Sequence, residues 1–254
     1  MLELDKIHLG DCLELMPSIP SKSIDMILCD LPYGTTACEW DSIIDMGKLW
    51  AEYERVIKDN GAIVLTANSR FVFTLHASNP KIYRYKWIWL KTKPTRFMNA
   101  SKMPMALHED ILIFYKALPT YNPQMTVGTP YIDTNDRKTL FSHTHSQFSK
   151  STKSYKKRAI YNNGTRYPTD IIRICNNRNR TLHPTQKPVA LFEYLIKTYT
   201  NEGELVLDNC SGSGTTAIAC LNSNRHFICI EKDETYYKKS LDRIADHEPL
   251  LRLI

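Results

Sequence analysis

Apolar positions in this chain fall into short continuous runs separated by stretches of helical spacing. Ser23-Ile24-Asp25-Met26-Ile27-Leu28-Cys29-Asp30 reads as a buried strand that ends in an acid. Gly61 to Thr66, Tyr85 to Leu90 and Asp110 to Tyr115 have the same character. A shorter run, Ile7 to Gly10, turns through Gly10-Asp11-Cys12 into a short helix that stops near Pro17. Helical spacing governs Met46 to Lys58, where Leu49, Trp50, Tyr53, Val56 and Ile57 share a face, and Pro188 to Tyr199, where Val189, Phe192, Leu195, Ile196 and Tyr199 do. Near the C-terminus, Leu205-Val206-Leu207 is a strand, Ala217 to Leu221 a helix, His226 to Ile230 a strand closed by Glu231, and Glu234 to Ala245 a last helix. Short apolar runs alternating with amphipathic helices predict an α/β fold with a mostly parallel sheet.

Between about Ala117 and Leu182 the periodicity fades. Asn, Thr, Ser, Tyr and cations take over, and Lys150, Lys153, Lys156, Lys157, Arg158 and Arg166 arrive with almost no acids between them. Arg173, Arg178 and Arg180 follow. Three segments result: 1–116, a basic insertion at 117–182, and 183–254. The formal net charge of +6 is concentrated in the insertion, so its pull is toward a polyanion. No apolar run approaches the ~18 residues of a membrane helix. The acidic start Met1-Leu2-Glu3-Leu4-Asp5 lacks a signal-peptide pattern. Seven scattered cysteines, without a Cys-x-x-Cys pair or zinc spacing, suit a reducing cytoplasm and predict no metal site.

The densest chemistry lies in Asp208-Asn209-Cys210-Ser211-Gly212-Ser213-Gly214-Thr215-Thr216-Ala217. A strand precedes it, a helix follows, and the next strand ends at Glu231. The pattern Gly212-x-Gly214-x-x-Ala217 has the form of an adenosine-cofactor fingerprint, with Glu231 placed to accept from ribose hydroxyls. The competing reading is a small-residue turn beside a solvated strand end. A P-loop is excluded because no Gly-Lys-Ser/Thr follows. A nicotinamide dehydrogenase places this unit first, whereas here little chain follows Glu231. The acid and hydroxyl groups of 208–214 suit an amino-acid headgroup better than a pyrophosphate.

A second cluster, Asp30-Leu31-Pro32-Tyr33, closes an upstream strand. In an open α/β sheet Asp30 and Asp208 then face one crevice at the carboxyl ends of the strands. The Asp30 carboxylate and the Leu31 carbonyl, biased outward by the following proline, offer two acceptors to an exocyclic amino group. Tyr33 offers a plane for a stacked base, worth roughly 1–3 kcal/mol. A proline turn with a capping Asp is the plainer alternative.

Together these motifs make the chain resemble a β-class amino-group DNA methyltransferase. Asp30-Leu31-Pro32-Tyr33 is similar to the family's catalytic Asp-Pro-Pro-Tyr motif. Asp208 to Gly214 is similar to its cofactor motif, and His183-Pro184-Thr185-Gln186-Lys187-Pro188 to the signature before it. The resemblance implies a Rossmann-like methyltransferase sheet in permuted motif order, with the insertion as a target-recognition element. It implies S-adenosyl-L-methionine as cofactor, held by Asp11, Cys12, Asp30, Thr185, Gln186, Lys187, Asp208, Cys210, Ser211, Gly212, Ser213, Gly214, Thr215 and Glu231. Asp11 takes the adenine amino group, Glu231 the ribose, and Thr185-Gln186-Lys187 with Thr215 the methionine carboxylate. Asp30, Leu31, Pro32 and Tyr33 are the catalytic residues, and Lys153, Lys156, Lys157 and Arg158 contact DNA. Leu31 stands where the family has proline and Cys210 where it has phenylalanine, which weakens an aromatic contact with the methionine portion. Cytosine-N4 members tend to carry Ser at the Asp30 position, so the expected target is N6 of a flipped adenine in duplex DNA. Cytosine-N4 methylation, RNA adenine methylation and a non-catalytic cofactor or nucleic-acid binder stand as alternatives. A cytoplasmic protein of bacterial, archaeal or phage origin follows, with two further partners left open, a restriction endonuclease and a second copy as homodimer.

Overall fold

A computed structural model describes residues 2–34, 43–133, 160–176 and 186–251. In chain order the elements are β1 (Lys6–Leu9), α1 (Cys12–Leu15), β2 (Ile24–Cys29), α2 (Met46–Val56), β3 (Ile57–Ala67), α3 (Phe71–Ser78), β4 (Tyr83–Thr95) and β5 (Ala106–Phe114). Four short strands follow, β6 (Thr126–Val127), β7 (Tyr131–Asp133), β8 (Ile160–Asn162) and β9 (Thr165–Arg166). The chain then continues through β10 (Ile171–Arg173), α4 (Val189–Tyr199), β11 (Leu205–Asp208), α5 (Thr215–Asn222), β12 (His226–Glu231) and α6 (Glu234–Leu251).

Eight strands form one sheet in the order β1-β12-β11-β2-β3-β5-β4-β10. Every neighbouring pair is parallel except β3/β5 and β4/β5, so β5 alone runs against the rest. The strand period of two assigns alternate side chains to opposite faces. Ile27, Cys29, Ile63, Leu65, Leu112, Phe114, Leu207 and Ile228 pack with α1, α2 and α3 on one side. Met26, Leu28, Val64, Ile111, Ile113, Val206, Phe227 and Cys229 pack with α4 and α5 on the other. Both faces of β2 are therefore covered, and from Met26 to Cys29 it reads as a continuous apolar run, as central parallel strands do, with Asp25 at its start paired to Lys58.

Local chemistry explains where the elements depart from the expected bounds. Helix α2 ends at Val56, because Ile57 is already extended and pairs with Ile24 on β2. Asp59, Asn60 and Gly61 then occupy a register shift before the core pairing resumes at Met26 and Ala62. Helix α5 begins at Thr215, two residues before the expected start, with Gly214 as its left-handed N-cap. Helix α3 carried no readable stripe: its apolar residues are not confined to one face, and Phe73 is 76% exposed.

The chain divides into two compact units, 1–122 with 169–254, and 123–168. The second unit is shorter than the expected 117–182 insertion, because Ile171–Arg173 joins the main sheet beside β4. Its described part pairs β6 with β9 and β7 with β8, both antiparallel. There the Arg166 guanidinium lies 4.7 Å from the Tyr131 ring centroid and donates to the Thr129 carbonyl at 2.6 Å. Lys153, Lys156, Lys157 and Arg158 lie outside the described residues, as do Thr185, Arg178 and Arg180. Among the described residues no helix is long and apolar enough to cross a membrane.

Candidate active site

The carboxyl ends of β1, β2, β11 and β12 open into a cavity of about 660 Å³. Strand polarity puts them there: parallel neighbours finish at one edge, and the loops that follow form the rim. Asp11, Cys12, Asp30, Leu31, Pro32, Tyr33, Gln186, Lys187, Asp208, Cys210, Ser211, Gly212, Ser213, Thr215 and Glu231 all line it. Gly214 sits behind the turn, where a Cβ would come within 3.1 Å of Ser240 on α6.

The glycine turn is a backbone structure with side chains holding it from behind. Gly212 has φ +53°, and a Cβ built there would meet nothing within 4 Å. It is left-handed and leaves its space open to the cavity, the arrangement that favours glycine. Buried Asp208 accepts from the Cys210 amide at 3.0 Å and from the Thr216 hydroxyl. Burial pushes its carboxyl up to about 7, against the hydrogen bonds it accepts. Glu231 accepts from the Gly212 amide at 2.7 Å and the Asp233 amide at 2.8 Å, and burial raises its carboxyl too. Tyr53, fully buried on α2, donates to Asn209 at 2.5 Å and ties the turn to the helix below. From α6, Arg243 donates to the Ser213 carbonyl at 2.9 Å and to the Thr215 hydroxyl at 3.2 Å. The Ser213 hydroxyl bonds Gln186 at 3.0 Å, which brings the 186–188 segment against the turn.

At the far wall Asp11 caps α1 through the Leu13 amide at 2.9 Å and meets Lys232 at 3.0 Å. Burial works to raise its carboxyl, but the Lys232 ammonium and the Leu13 N–H more than offset it and hold it low. Cys12 is buried beside it, and half-buried Cys210 lies in the same lining.

The other end of the cavity is built from charged side chains. Asp30 Oδ1 accepts from the Tyr33 hydroxyl at 2.7 Å and from the Thr66 hydroxyl at the end of β3. Asp30 Oδ2 accepts from the Lys187 ammonium, whose side chain is only 5% exposed. The same ammonium lies 3.4 Å from Glu109 Oε2, and Lys91 holds Glu109 Oε1 at 2.5 Å. Asp30, Lys187, Glu109 and Lys91 thus alternate in sign along one partly buried line. Burial opposes the charge on Lys187, but the two carboxylates raise its affinity for a proton overall. Glu109 Oε2 accepts no hydrogen bond among the described residues. The Tyr33 ring stacks against Phe71 at 4.9 Å between centroids, tilted by 31°, with Lys187 5.7 Å from its centre. Leu31 is buried at the cavity wall, 3% exposed.

The structure therefore brings all of the described site residues but Gly214 to the lining of one cavity. Two details differ from what the motif resemblance implied. Lys187, expected at the methionine carboxylate, directs its ammonium at Asp30 and Glu109. Asp208 spends its described hydrogen bonds on holding the turn. Thr66, Lys91, Glu109 and Arg243 are additions. Glu109 and Lys91 gave no signal of their own, since each lies one residue outside an expected strand, Asp110 to Tyr115 and Tyr85 to Leu90. Their meeting is visible only once β4 and β5 are known to be antiparallel partners, with Glu109 opposite Trp89.

A parallel sheet with one reversed strand, a glycine turn after β11 and an acid-ended β2 defines a Rossmann-like methyltransferase. The chain belongs to the DNA methylase family of N6 and N4 methyltransferases, whose model matches residues 24–242. It is 27% identical to the DNA adenine methyltransferase YhdJ of Escherichia coli K12, over 95% of this chain and 83% of that one. To the type II methyltransferase M.HpaI of Haemophilus parainfluenzae it is 26% identical, over 92% and 72%. Among solved structures, the M1.HpyAVI–SAM complex superposes with a TM-score of 0.62 at 23% identity, covering 94% of this chain and 98% of that one. The cytosine-N4-specific PvuII DNA methyltransferase gives 0.63 at 16%, covering 97% and 92%. These two likenesses establish the fold.

Proposed function

We propose that the chain transfers a methyl group from S-adenosylmethionine to N6 of an adenine flipped out of duplex DNA. The observation that carries this reading is the shared cavity: the Asp30 carboxylate and the Ser211–Thr215 turn open into one space. The residues fit the cofactor. Ser211 Oγ is buried without a hydrogen-bond partner among the described residues, and Gly212 leaves room for a ligand beside it. Ser211, Gly212, Ser213 and Thr215 with Gln186 hold the amino-acid arm, Glu231 the ribose and Asp11 the adenine edge. Bound there, the cofactor supplies an electrophilic methyl on its sulfonium.

The protein's own work is positioning and polarisation. Adenine N6 is a weak nucleophile because its lone pair is delocalised into the ring. Donation of its two N–H groups to Asp30 and the Leu31 carbonyl localises that pair. As the new N–C bond forms, positive charge grows on nitrogen; Asp30 stabilises it and takes the proton the nitrogen must lose. Tyr33 stacks on the extruded base. Lys187 holds Asp30 Oδ2, so its ammonium yields that oxygen when the amino group arrives. Glu109 Oε2, 3.4 Å away, is the acceptor that receives it without stranding a buried cation. Asp30 favours adenine over cytosine, in keeping with the adenine specificity in the name of YhdJ. We place the activity in the cytoplasm of a bacterial, archaeal or phage-infected cell, in keeping with the six free thiols among the described cysteines.

The test is chemical. Unmethylated genomic DNA is incubated with the protein and cofactor, digested to nucleosides and separated. N6-methyladenosine as the deoxynucleoside is expected. N4-methylcytosine instead would move the target, and the absence of any methylated product would reject the reading.

A further inference from the structure

The β4–β5 hairpin reaches well past the strand beside it. Ala67, the last residue of β3, pairs with Asp110, whereas β5 begins at Ala106 and β4 runs to Thr95 opposite it. Four residues of β5 therefore project beyond β3, about 13 Å at the usual rise per residue, on the carboxyl edge that holds Asp30. Arg96, left-handed at φ +67°, fastens the tip by donating to Asn68 at 3.1 Å and to Ser69. Asn68 lies two residues after Thr66, which bonds Asp30. The tip is thus anchored beside the site.

Its surface is unusual in two ways. Phe97 is 78% and Met98 90% exposed, and Met103, Met105 and Leu107 add further apolar surface. Scattered exposed apolar side chains need no explanation, but a cluster on one tip does. From Lys91 to His108 there are also cations and no acids, with Lys93 and Lys102 exposed. Two copies meeting tip to tip would bring like charges together. A polyanion with stacked apolar planes matches both features, and apolar wedges of Phe and Met are a known means of parting base steps.

We propose that this tip is a DNA wedge, separate from the basic insertion. Lys93 and Lys102 contact phosphates flanking the target. Phe97 and Met98 pack against the base steps opened when the adenine leaves the stack. This rests on the DNA-methylation reading above. It assigns a second DNA-binding element to the stretch between the expected strands Tyr85 to Leu90 and Asp110 to Tyr115, which sequence patterns left unassigned.

Two variants of the full chain test it. Lys93→Gln/Lys102→Gln is titrated with a fluorescein-labelled mixed-sequence 30-base-pair duplex over a salt series. The slope of log affinity against log salt is expected to become shallower by about two. Phe97→Ala/Met98→Ala is assayed with tritiated cofactor on native and on heat-denatured unmethylated genomic DNA. The rate on native DNA should fall at least tenfold, the rate on denatured DNA less than threefold, with cofactor affinity and melting temperature held. An unchanged salt slope, an unchanged native rate, or equal losses on both DNAs would overturn the wedge. So would a change in oligomeric mass with DNA binding intact, which marks a self-association surface. If the wild-type chain methylates neither DNA, the activity reading fails, while the salt slope still decides whether the hairpin touches DNA.

Discussion

The two ends of the cavity are built on different principles. The end proposed for the cofactor is mostly backbone: a turn with Gly212 and Gly214 at positive φ, secured from behind by Asp208, Glu231, Tyr53 and Arg243. Its acids spend described hydrogen bonds on amides and hydroxyls of the chain itself. The end proposed for transfer is side-chain chemistry, a line of alternating charges from Asp30 to Lys91 drawn from the end of β2, the segment before α4, β5 and β4. A backbone cradle suits a ligand that is bound the same way each time. A line of exchangeable ion pairs suits a carboxylate that must give up one partner to take another. The lesson is that binding and transfer should be separable by mutation.

The largest effect should fall on transfer. Asp30→Ala removes the acceptor that polarises the amino group, and kcat should drop roughly a thousandfold in a radiometric assay. A loss below tenfold would place the chemistry elsewhere. At the other end, Gly212→Val combines a left-handed β-branched residue with a side chain in the cofactor's space. Strain alone is worth about 1–2 kcal/mol, so calorimetry should show cofactor affinity at least tenfold weaker. Native affinity in that variant would mean the turn only connects β11 to α5.

Glu109→Gln tests the ion-pair line. With no second carboxylate to receive it, Lys187 stays on Asp30. We expect kcat to fall about tenfold with cofactor affinity within twofold of wild type, and Glu109→Asp to recover much of the loss. Equal losses in Gln and Asp variants, tracking melting temperature, would reduce Glu109 to a packing residue. The smallest effect is a pH dependence of stability. Asp208 has its carboxyl pushed up to about 7 by burial, so between the ordinary aspartate range and 7 the folded chain binds more protons than the unfolded one. Its contribution to stability is therefore greatest at low pH and declines as pH rises through that window. Relative to wild type, Asp208→Asn should gain stability in urea titrations from pH 5 to pH 8. A constant difference would show that the carboxyl titrates normally.

The same contrast explains what the sequence could reveal. The glycine turn and its flanking strands are contiguous, so strand, turn, helix and closing acid could be read from one stretch, Leu205 to Glu231. Asp30 and Tyr33 were legible because proline and glycine end a buried run. The distant members of the Asp30 network were not: Thr66 and Lys187, which bond Asp30, and Glu109, which pairs with Lys187, lie 36, 157 and 79 positions further along the chain. Which strand lies beside which decides their meeting, and apolar spacing does not encode strand order. The β4–β5 extension escaped for a related reason: its alternation is clear only in the half that is buried, while Lys93 to Met105 faces solvent and carries no period.

The central claim is that the chain binds its cofactor at one end of the cavity and transfers the methyl at the other. Titration of S-adenosylmethionine into Asp30→Ala, beside the wild type and Gly212→Val, tests it most directly. The account predicts that Asp30→Ala binds the cofactor within about threefold of wild type while its kcat falls roughly a thousandfold, and that Gly212→Val binds the cofactor at least tenfold more weakly. If Asp30→Ala loses the cofactor as Gly212→Val does, the two ends are one site and the division proposed for them is wrong.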